Sequence, residues 1–236
     1  MKIVFKDPTF SALLLRTIAE TYYKGADIGE CLSTAYRIKE GDFESWYEEW
    51  IKTAKRVHSY AEDSATKGHT TSAREAYLRA TNYYRTSAFF IADPEDQRLP
   101  STIDLSKECF RKATSLFPFV VEPVEIPYEG ILLPGYFYHV PKNHDNHDKS
   151  QLGKHSNPAN QQNNSIRNGN HDKMIANSSA YPTLVVHGGF DSTLEELYIF
   201  AAAPALERGY NCLTFEAPGQ GNVIIKQKLP FRYDWE

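Results

Sequence analysis

The chain has 236 residues, of which 41% are hydrophobic and 13% aromatic, so it can bury the core of one large or two modest domains. Its net charge of −4 gives no reason to expect a nucleic-acid partner. The cysteines Cys31, Cys109 and Cys212 are widely spaced, which argues against a disulfide framework and for a reducing compartment. No apolar run suits a signal peptide or a membrane span, so we expect a soluble, cytoplasmic protein without a membrane partner.

Residues 1–118 are predicted to form a helical domain. The predicted helices are Phe10–Tyr23, Ile28–Lys39, Phe43–Ala65, Thr71–Ile91 and Thr102–Leu116. Phe43–Ala65 is the clearest, because its aromatic and small residues form one stripe and Asp42 is placed to cap it. The small–large alternation in Ala73–Phe90 is similar to a tetratricopeptide-like hairpin, but no second copy follows at the repeat length of about 34 residues. An ordinary amphipathic bundle is therefore favoured over a tetratricopeptide-like adaptor.

The next two stretches differ sharply in composition. Residues 119–141 are β-rich on both sides of the turn signal Tyr128-Glu129-Gly130, which predicts a β-hairpin. Residues 142–179 are rich in Asn, His, Asp, Ser and Gln, so we expect a disordered insert. Its histidines lack cysteine partners and helical spacing, and we expect no metal site there. These histidines are His144, His147, His155 and His171.

Residues 180–236 open with a strand–helix–strand unit. Thr183–Val186 and Cys212–Phe215 are short apolar runs of the kind that a parallel sheet buries. A helix is predicted between them, capped within Asp191–Thr193 and ended by Gly209. Each strand ends in a glycine turn, His187-Gly188-Gly189-Phe190 after the first and Pro218-Gly219-Gln220-Gly221 after the second.

This pair of turns, within GGFDSTLEELY and FEAPGQG, resembles the α/β-hydrolase superfamily and, more narrowly, its FrsA-like esterase group with an N-terminal helical cap. The resemblance is loose over Asp7–Pro141 and close over Tyr181–Glu236. It implies an α/β fold in which a helical cap (1–118) is followed by the opening hairpin (119–141), the insert (142–179) and a partial hydrolase core (180–236). The nucleophile elbow G-x-S-x-G is absent, so the resemblance implies a chain truncated before that elbow.

The resemblance also implies roles for the glycine turns. The backbone N–H groups of Gly189 and Phe190 are candidates for half of an oxyanion hole, Gly188 permits the turn, and His187 supports it. Asp191 either caps the helix or lines the substrate pocket, and capping is favoured. Gly219 and Gly221 shape the second turn; they need no chemical role. No residue of the chain is a candidate nucleophile, acid or base.

We therefore expect a serine hydrolase that acts on an ester or C–C bond of a small-molecule, ketide-like acyl substrate, with no metal or organic cofactor. This chain by itself is expected to have little or no such activity. The alternatives are a non-catalytic remnant and a helical protein-binding module. In the hydrolase plan Thr183–His187 also borders the nucleophile strand. Without that strand it is an open apolar edge, and we expect homo-oligomers or association with another chain through it.

Overall fold

A computed structural model describes residues 3–141 and 181–234. The insert at 142–179, with its predicted disorder and its histidines, lies outside the described residues. The helical part consists of α1 (Pro8–Ala19), α2 (Ile28–Ala35), α3 (Phe43–Thr66), α4 (Thr70–Ala88) and α5 (Arg98–Thr114). The sheet part consists of β1 (Val121–Tyr128), β2 (Ile131–Tyr138), β3 (Thr183–His187), α6 (Ala203–Glu207), β4 (Asn211–Phe215) and α7 (Gly221–Ile225).

All the helices predicted in residues 1–118 are present, and the differences lie at their ends. The first helix ends at Ala19 and continues as a 3-10 turn through Tyr23. Lys24, at a φ of 68°, closes that turn. The second helix ends at Ala35 instead of Lys39, and the fifth begins at Arg98 instead of Thr102. Such ends depend on tertiary contacts that a periodic pattern does not report.

The centre of the helical part is the contact between α3 and α4. Asp42 caps α3 as predicted, since its side chain accepts a hydrogen bond from the Ser45 N–H at 3.0 Å. Trp46 and Trp50 are completely buried, and the Trp46 indole N–H donates to the Thr86 carbonyl of α4 at 2.8 Å. This hydrogen bond satisfies a buried indole N–H and fixes the position of α3 along α4, in addition to the packing of the aromatic stripe.

The crossover between β3 and β4 departs from the regular helix that its spacing predicts. Residues Tyr198–Ala202 form a π-helical turn, directly before α6. Pro204 lies in the first turn of α6 and explains the departure, because proline has no N–H and its ring would collide with the carbonyl four residues earlier. Gly209 ends α6 at a φ of 78°, as predicted.

The four strands form one mixed sheet in the order β1-β2-β4-β3. β1 and β2 are antiparallel and are joined by Glu129 and Gly130, at φ values of 44° and 83°, which is the backbone of a tight hairpin turn. β2 runs antiparallel to β4, and β3 runs parallel to β4 from Thr183 opposite Asn211 to His187 opposite Phe215. The predicted hairpin and the predicted parallel pair are both confirmed.

Among the described residues β3 is one of the two edge strands, with Leu184 41% and Val185 59% exposed. Aromatic side chains join the helical part to the sheet. Phe110 of α5 lies with its ring centroid 5.3 Å from that of Tyr136 on β2 and 5.8 Å from that of Tyr198 in the crossover. The helical part and the sheet therefore share one hydrophobic core.

No helix within residues 3–141 and 181–234 is long and apolar enough to span a bilayer.

Candidate active site

The two glycine turns lie side by side at the carboxyl ends of β3 and β4. The two strands are parallel, and their last paired residues are His187 and Phe215, so the chain leaves both strands at the same edge of the sheet. In an open α/β sheet that edge is where ligands bind. The fold therefore brings together the two motifs that the sequence separates.

The two glycines of the first turn differ in what surrounds them. A Cβ on Gly188 would lie 2.4 Å from the Cβ of Ser192, closer than two carbon atoms can approach. A Cβ on Gly189 would have no neighbour nearer than the Asp191 carboxylate oxygen at 4.0 Å. Gly188 therefore permits the turn, as predicted, whereas the space around Gly189 admits a side chain.

Gln220 joins the two turns, and sequence reasoning missed it. Its side-chain amide donates to the Gly188 carbonyl and accepts a hydrogen bond from the Ala217 N–H at 2.9 Å. The His187 Nδ1 also lies 2.9 Å from the Gly188 carbonyl oxygen. His187 therefore contacts the turn that it is predicted to support, and Gln220 ties that turn to the end of β4.

Glu216 holds the loop that follows the first turn, and sequence reasoning also missed it. Its carboxylate is buried at the end of β4 and accepts hydrogen bonds from the N–H groups of Leu194, at 3.1 Å, and Asn222, at 2.8 Å. A Cβ on Gly221, whose φ is 39°, would lie 2.0 Å from a Glu216 carboxylate oxygen. Gly219, at a φ of 81°, likewise leaves room for the backbone of Phe231. A side chain at either position would therefore collide with its neighbours, so this turn needs both glycines.

Asp191 does not cap the helix, which is a correction to the prediction. Its carboxylate pairs with the guanidinium of Arg16 on α1. Arg16 also binds Glu196 with two parallel hydrogen bonds of 2.7 and 2.6 Å, and the Glu196 side chain is only 1% exposed. Because Arg16 binds both carboxylates, Asp191 faces the helical part instead of its own helix. The contact between Arg16 and Asp191 joins residues that are 175 positions apart in sequence.

A second arginine lies deeper in the same interface. Arg85 of α4 is 6% exposed and contacts Glu20 at 3.0 Å and Glu196 at 3.4 Å. Burial raises the pKa of Glu20 to about 8, although the charge of Arg85 acts in the opposite direction. Burial also raises the pKa of both Glu195 and Glu216, and the negative charge of Glu195 raises the pKa of Glu216 further.

An apolar cavity of about 730 Å³ opens between the helical part and the two turns. Phe190, which is 70% exposed, borders it together with Asp191, Gly219 and Gly221. The helical part contributes a largely apolar wall, and the segment after the second turn contributes further apolar side chains. Representative residues of these two walls are Ala88, Phe89, Leu99, Ile103, Ile224 and Ile225. A cavity of this size and character suits a small organic ligand.

The arrangement places an apolar cavity beside the two glycine turns, and Phe190, the second residue after Gly188, borders that cavity. No cluster of metal-ligating side chains occurs in the part of the chain that the structure describes.

Comparison with known proteins agrees with this geometry. No protein-family model matches the chain. The 20-hydroxy-prefusarin hydrolase FUS2 of Gibberella moniliformis is 38% identical, over 100% of this chain and 49% of that relative. The alpha/beta hydrolase psoB of Aspergillus fumigatus is 35% identical, over 99% of this chain and 46% of that relative. The chain thus spans about half the length of the curated relatives it matches.

A solved structure, that of a 2,6-dihydroxy-pseudo-oxynicotine hydrolase, shares the fold. It matches with a TM-score of 0.60 and 22% identity, over 88% of this chain and 47% of the other. The likeness includes the helical part, which confirms the prediction of a helical cap followed by the first part of a hydrolase sheet. The chain belongs to the α/β-hydrolase superfamily.

Proposed function

We propose that the whole protein is a serine hydrolase that cleaves an ester or C–C bond in a ketide-like acyl substrate. The observation that carries the proposal is the apolar cavity beside Phe190, with one wall from the helical part and the other from the two glycine turns. The name of the relative FUS2 gives its substrate as 20-hydroxy-prefusarin, and the shared sequence over this half supports a related substrate class.

In this proposal Gly189 and Phe190 donate their backbone N–H groups to the substrate oxygen. Attack on a carbonyl carbon moves negative charge onto that oxygen, and donors already in place stabilise the charge without reorganising. Gly188 lets the chain turn closely enough for this, since any side chain there would collide with Ser192. The nucleophile, the acid and the base would come from the part of the protein that matches the other half of its relatives.

The helical part acts as a cap that forms the apolar wall of the acyl site. Phe89 and Leu99 border the cavity there, and Arg16 and Arg85 tie the cap to the loop after β3. Binding of the apolar part of the substrate removes it from water, which supplies affinity of about 25 cal/mol per Å² of buried apolar surface. No cofactor takes part in this chemistry.

The experiment compares two proteins, one made from the complete coding sequence and one containing only residues 1–236. Both are incubated with p-nitrophenyl esters of increasing acyl length and with a serine-directed fluorophosphonate. We expect the first to hydrolyse the longer esters faster and to be labelled, and the second to do neither. A reading frame that ends at Glu236 in the mature transcript, or absence of labelling in the longer protein, would contradict the proposal.

The hypotheses of a non-catalytic remnant and of a tetratricopeptide-like adaptor stay predictions. An adaptor needs an open groove for a peptide, whereas the second half of α4, from Tyr83 to Ala88, is buried throughout. No feature of the described residues favours either hypothesis over the hydrolase.

A further inference from the structure

The side-chain amide of Gln220 has only one orientation that satisfies its neighbours. Gln220 is 6% exposed, and its amide oxygen accepts a hydrogen bond from the Ala217 N–H at 2.9 Å. A backbone N–H can bond to the oxygen of a carboxamide but not to its NH₂ group. The NH₂ group therefore faces the Gly188 carbonyl, to which it donates.

This contact sets the direction of the peptide group between Gly188 and Gly189. The chain has no cis peptide bonds within its described residues, and in a trans peptide the C=O and the N–H point in opposite directions. Because Gln220 and His187 both hold the Gly188 carbonyl oxygen, the Gly189 N–H points away from Gln220.

Apart from the His187 ring, which also contacts the Gly188 carbonyl oxygen, little restrains this peptide group. Two consecutive glycines rotate more freely than any other pair of residues. The space around Gly189 is open to 4.0 Å, so packing does not restrict it. Among the described residues, neither the Gly189 nor the Phe190 N–H donates to another backbone group. A rotation of the Gly188–Gly189 peptide would turn the Gly189 N–H away from its present direction at little cost.

We propose that Gln220 is the positioning residue that holds the Gly189 N–H group in the direction needed for an oxyanion hole. The inference rests on the proposed function and adds to it a residue from the second glycine turn. Gln220 does not touch the substrate in this proposal and acts through the Gly188 carbonyl. The oxyanion hole is thereby built from both turns, although only the first contributes donors.

The chain offers a matched control. Gln227 makes the same kind of bond, from its side-chain NH₂ to the Leu132 carbonyl at 2.9 Å, but does not contact the glycine turns. Gln220→Ala and Gln227→Ala are compared in the protein made from the complete coding sequence, with a p-nitrophenyl ester as substrate. We expect Gln220→Ala to lower kcat by about 10- to 100-fold with KM nearly unchanged. This fall is smaller than the fall in kcat that follows complete removal of an oxyanion-hole donor. Gln227→Ala should leave both constants unchanged.

A second variant separates positioning from folding. Gln220→Glu keeps the oxygen that accepts from Ala217 but places an ionised oxygen against the Gly188 carbonyl at neutral pH. We expect kcat to fall as in Gln220→Ala at neutral pH. The ratio of its kcat to that of the wild type at the same pH should rise as the pH falls, since a protonated carboxyl can again donate. A merely structural role predicts no such recovery. Equal kcat values for Gln220→Ala and Gln227→Ala would overturn the inference.

Failure of the proposed function gives a different result from failure of this inference. If the wild-type protein hydrolyses no ester, the hydrolase proposal fails. The positioning role of Gln220 is then tested by the ¹⁵N order parameter of the Gly189 N–H. We expect a value of about 0.85 in the wild type and in Gln227→Ala, and below about 0.6 in Gln220→Ala. An unchanged order parameter in Gln220→Ala would overturn the inference whatever the activity.

Discussion

Replacing Gly188 by alanine should destabilise the fold, whereas the same change at Gly189 should not. The new Cβ at position 188 would lie 2.4 Å from the Ser192 Cβ and 3.0 Å from its Oγ, so the loop must shift. At position 189 the nearest atom is 4.0 Å away. Overpacking of this kind costs about 1–3 kcal/mol, and a substitution without a new contact changes stability by less than about 0.5 kcal/mol.

A second substitution, at Ser192, can remove the collision. Ser192→Gly deletes both of the atoms that the new methyl group meets, and the next neighbour is Leu197 at 3.5 Å, an ordinary contact. The double variant Gly188→Ala with Ser192→Gly should therefore regain most of the lost stability. The double variant exchanges one glycine for another, so the entropic cost of folding that is added at position 192 is largely offset by the cost removed at position 188.

Urea unfolding followed by tryptophan fluorescence measures these differences, because Trp46 and Trp50 are completely buried in the fold. All variants are made in the same chain, so their midpoints can be compared directly. Equal midpoints for Gly188→Ala and Gly189→Ala would refute the reasoning. So would a double variant that is less stable than Gly188→Ala alone.

Three further predictions concern charge and the sheet edge. Because burial raises the pKa of Glu20 to about 8, its contribution to stability is complete below its unfolded pKa near 4.5 and is lost as the pH rises towards 8. Urea unfolding should show the free energy of unfolding falling by up to about 1 kcal/mol per pH unit over this range, with a smaller slope in Glu20→Gln; equal slopes would contradict this. Arg16→Met should lower the free energy of unfolding by about 3 kcal/mol in the same assay, since the buried Glu196 then keeps only its longer contact to Arg85. An unchanged midpoint would show that the fold does not need the Arg16–Glu196 pair. Val185→Lys should reduce self-association of the 236-residue chain in sedimentation experiments, because lysine discourages pairing at an exposed strand edge, and a monodisperse wild-type monomer at micromolar concentration would exclude that association.

Much of the fold is readable from local patterns. The β3 and β4 strands are short apolar runs that are each followed by a glycine turn, and a parallel pair must place both ends at one edge of the sheet. The aromatic stripe of α3 and the capping Asp42 are equally local. Each of these features depends on residues within a few positions of one another, so a single sequence suffices to predict them.

The errors come from contacts between distant residues. Asp191 looks like a helix cap because capping is the usual role of an aspartate after a turn, but an arginine 175 residues earlier binds it. The π-helical turn at Tyr198–Ala202 had a local signal in Pro204, which the apolar spacing obscured. Glu216 follows a buried strand and faces the loop before the crossover helix, 22 residues earlier.

The sequence by itself determined most of the helices and strands, the superfamily and the place of the glycine turns, because periodicity and turn chemistry are properties of neighbouring residues. Only the tertiary structure decided what holds the first turn and the loop after it in shape. Gln220 of the second turn reaches the Gly188 carbonyl, Glu216 after β4 reaches the Leu194 N–H, and Arg16 of α1 reaches Asp191. These side chains meet their partners only after the sheet and the helices have packed. The sequence does not indicate which distant backbone group a polar side chain will bind. That partner depends on which groups the fold buries, because each buried hydrogen-bonding group needs a partner.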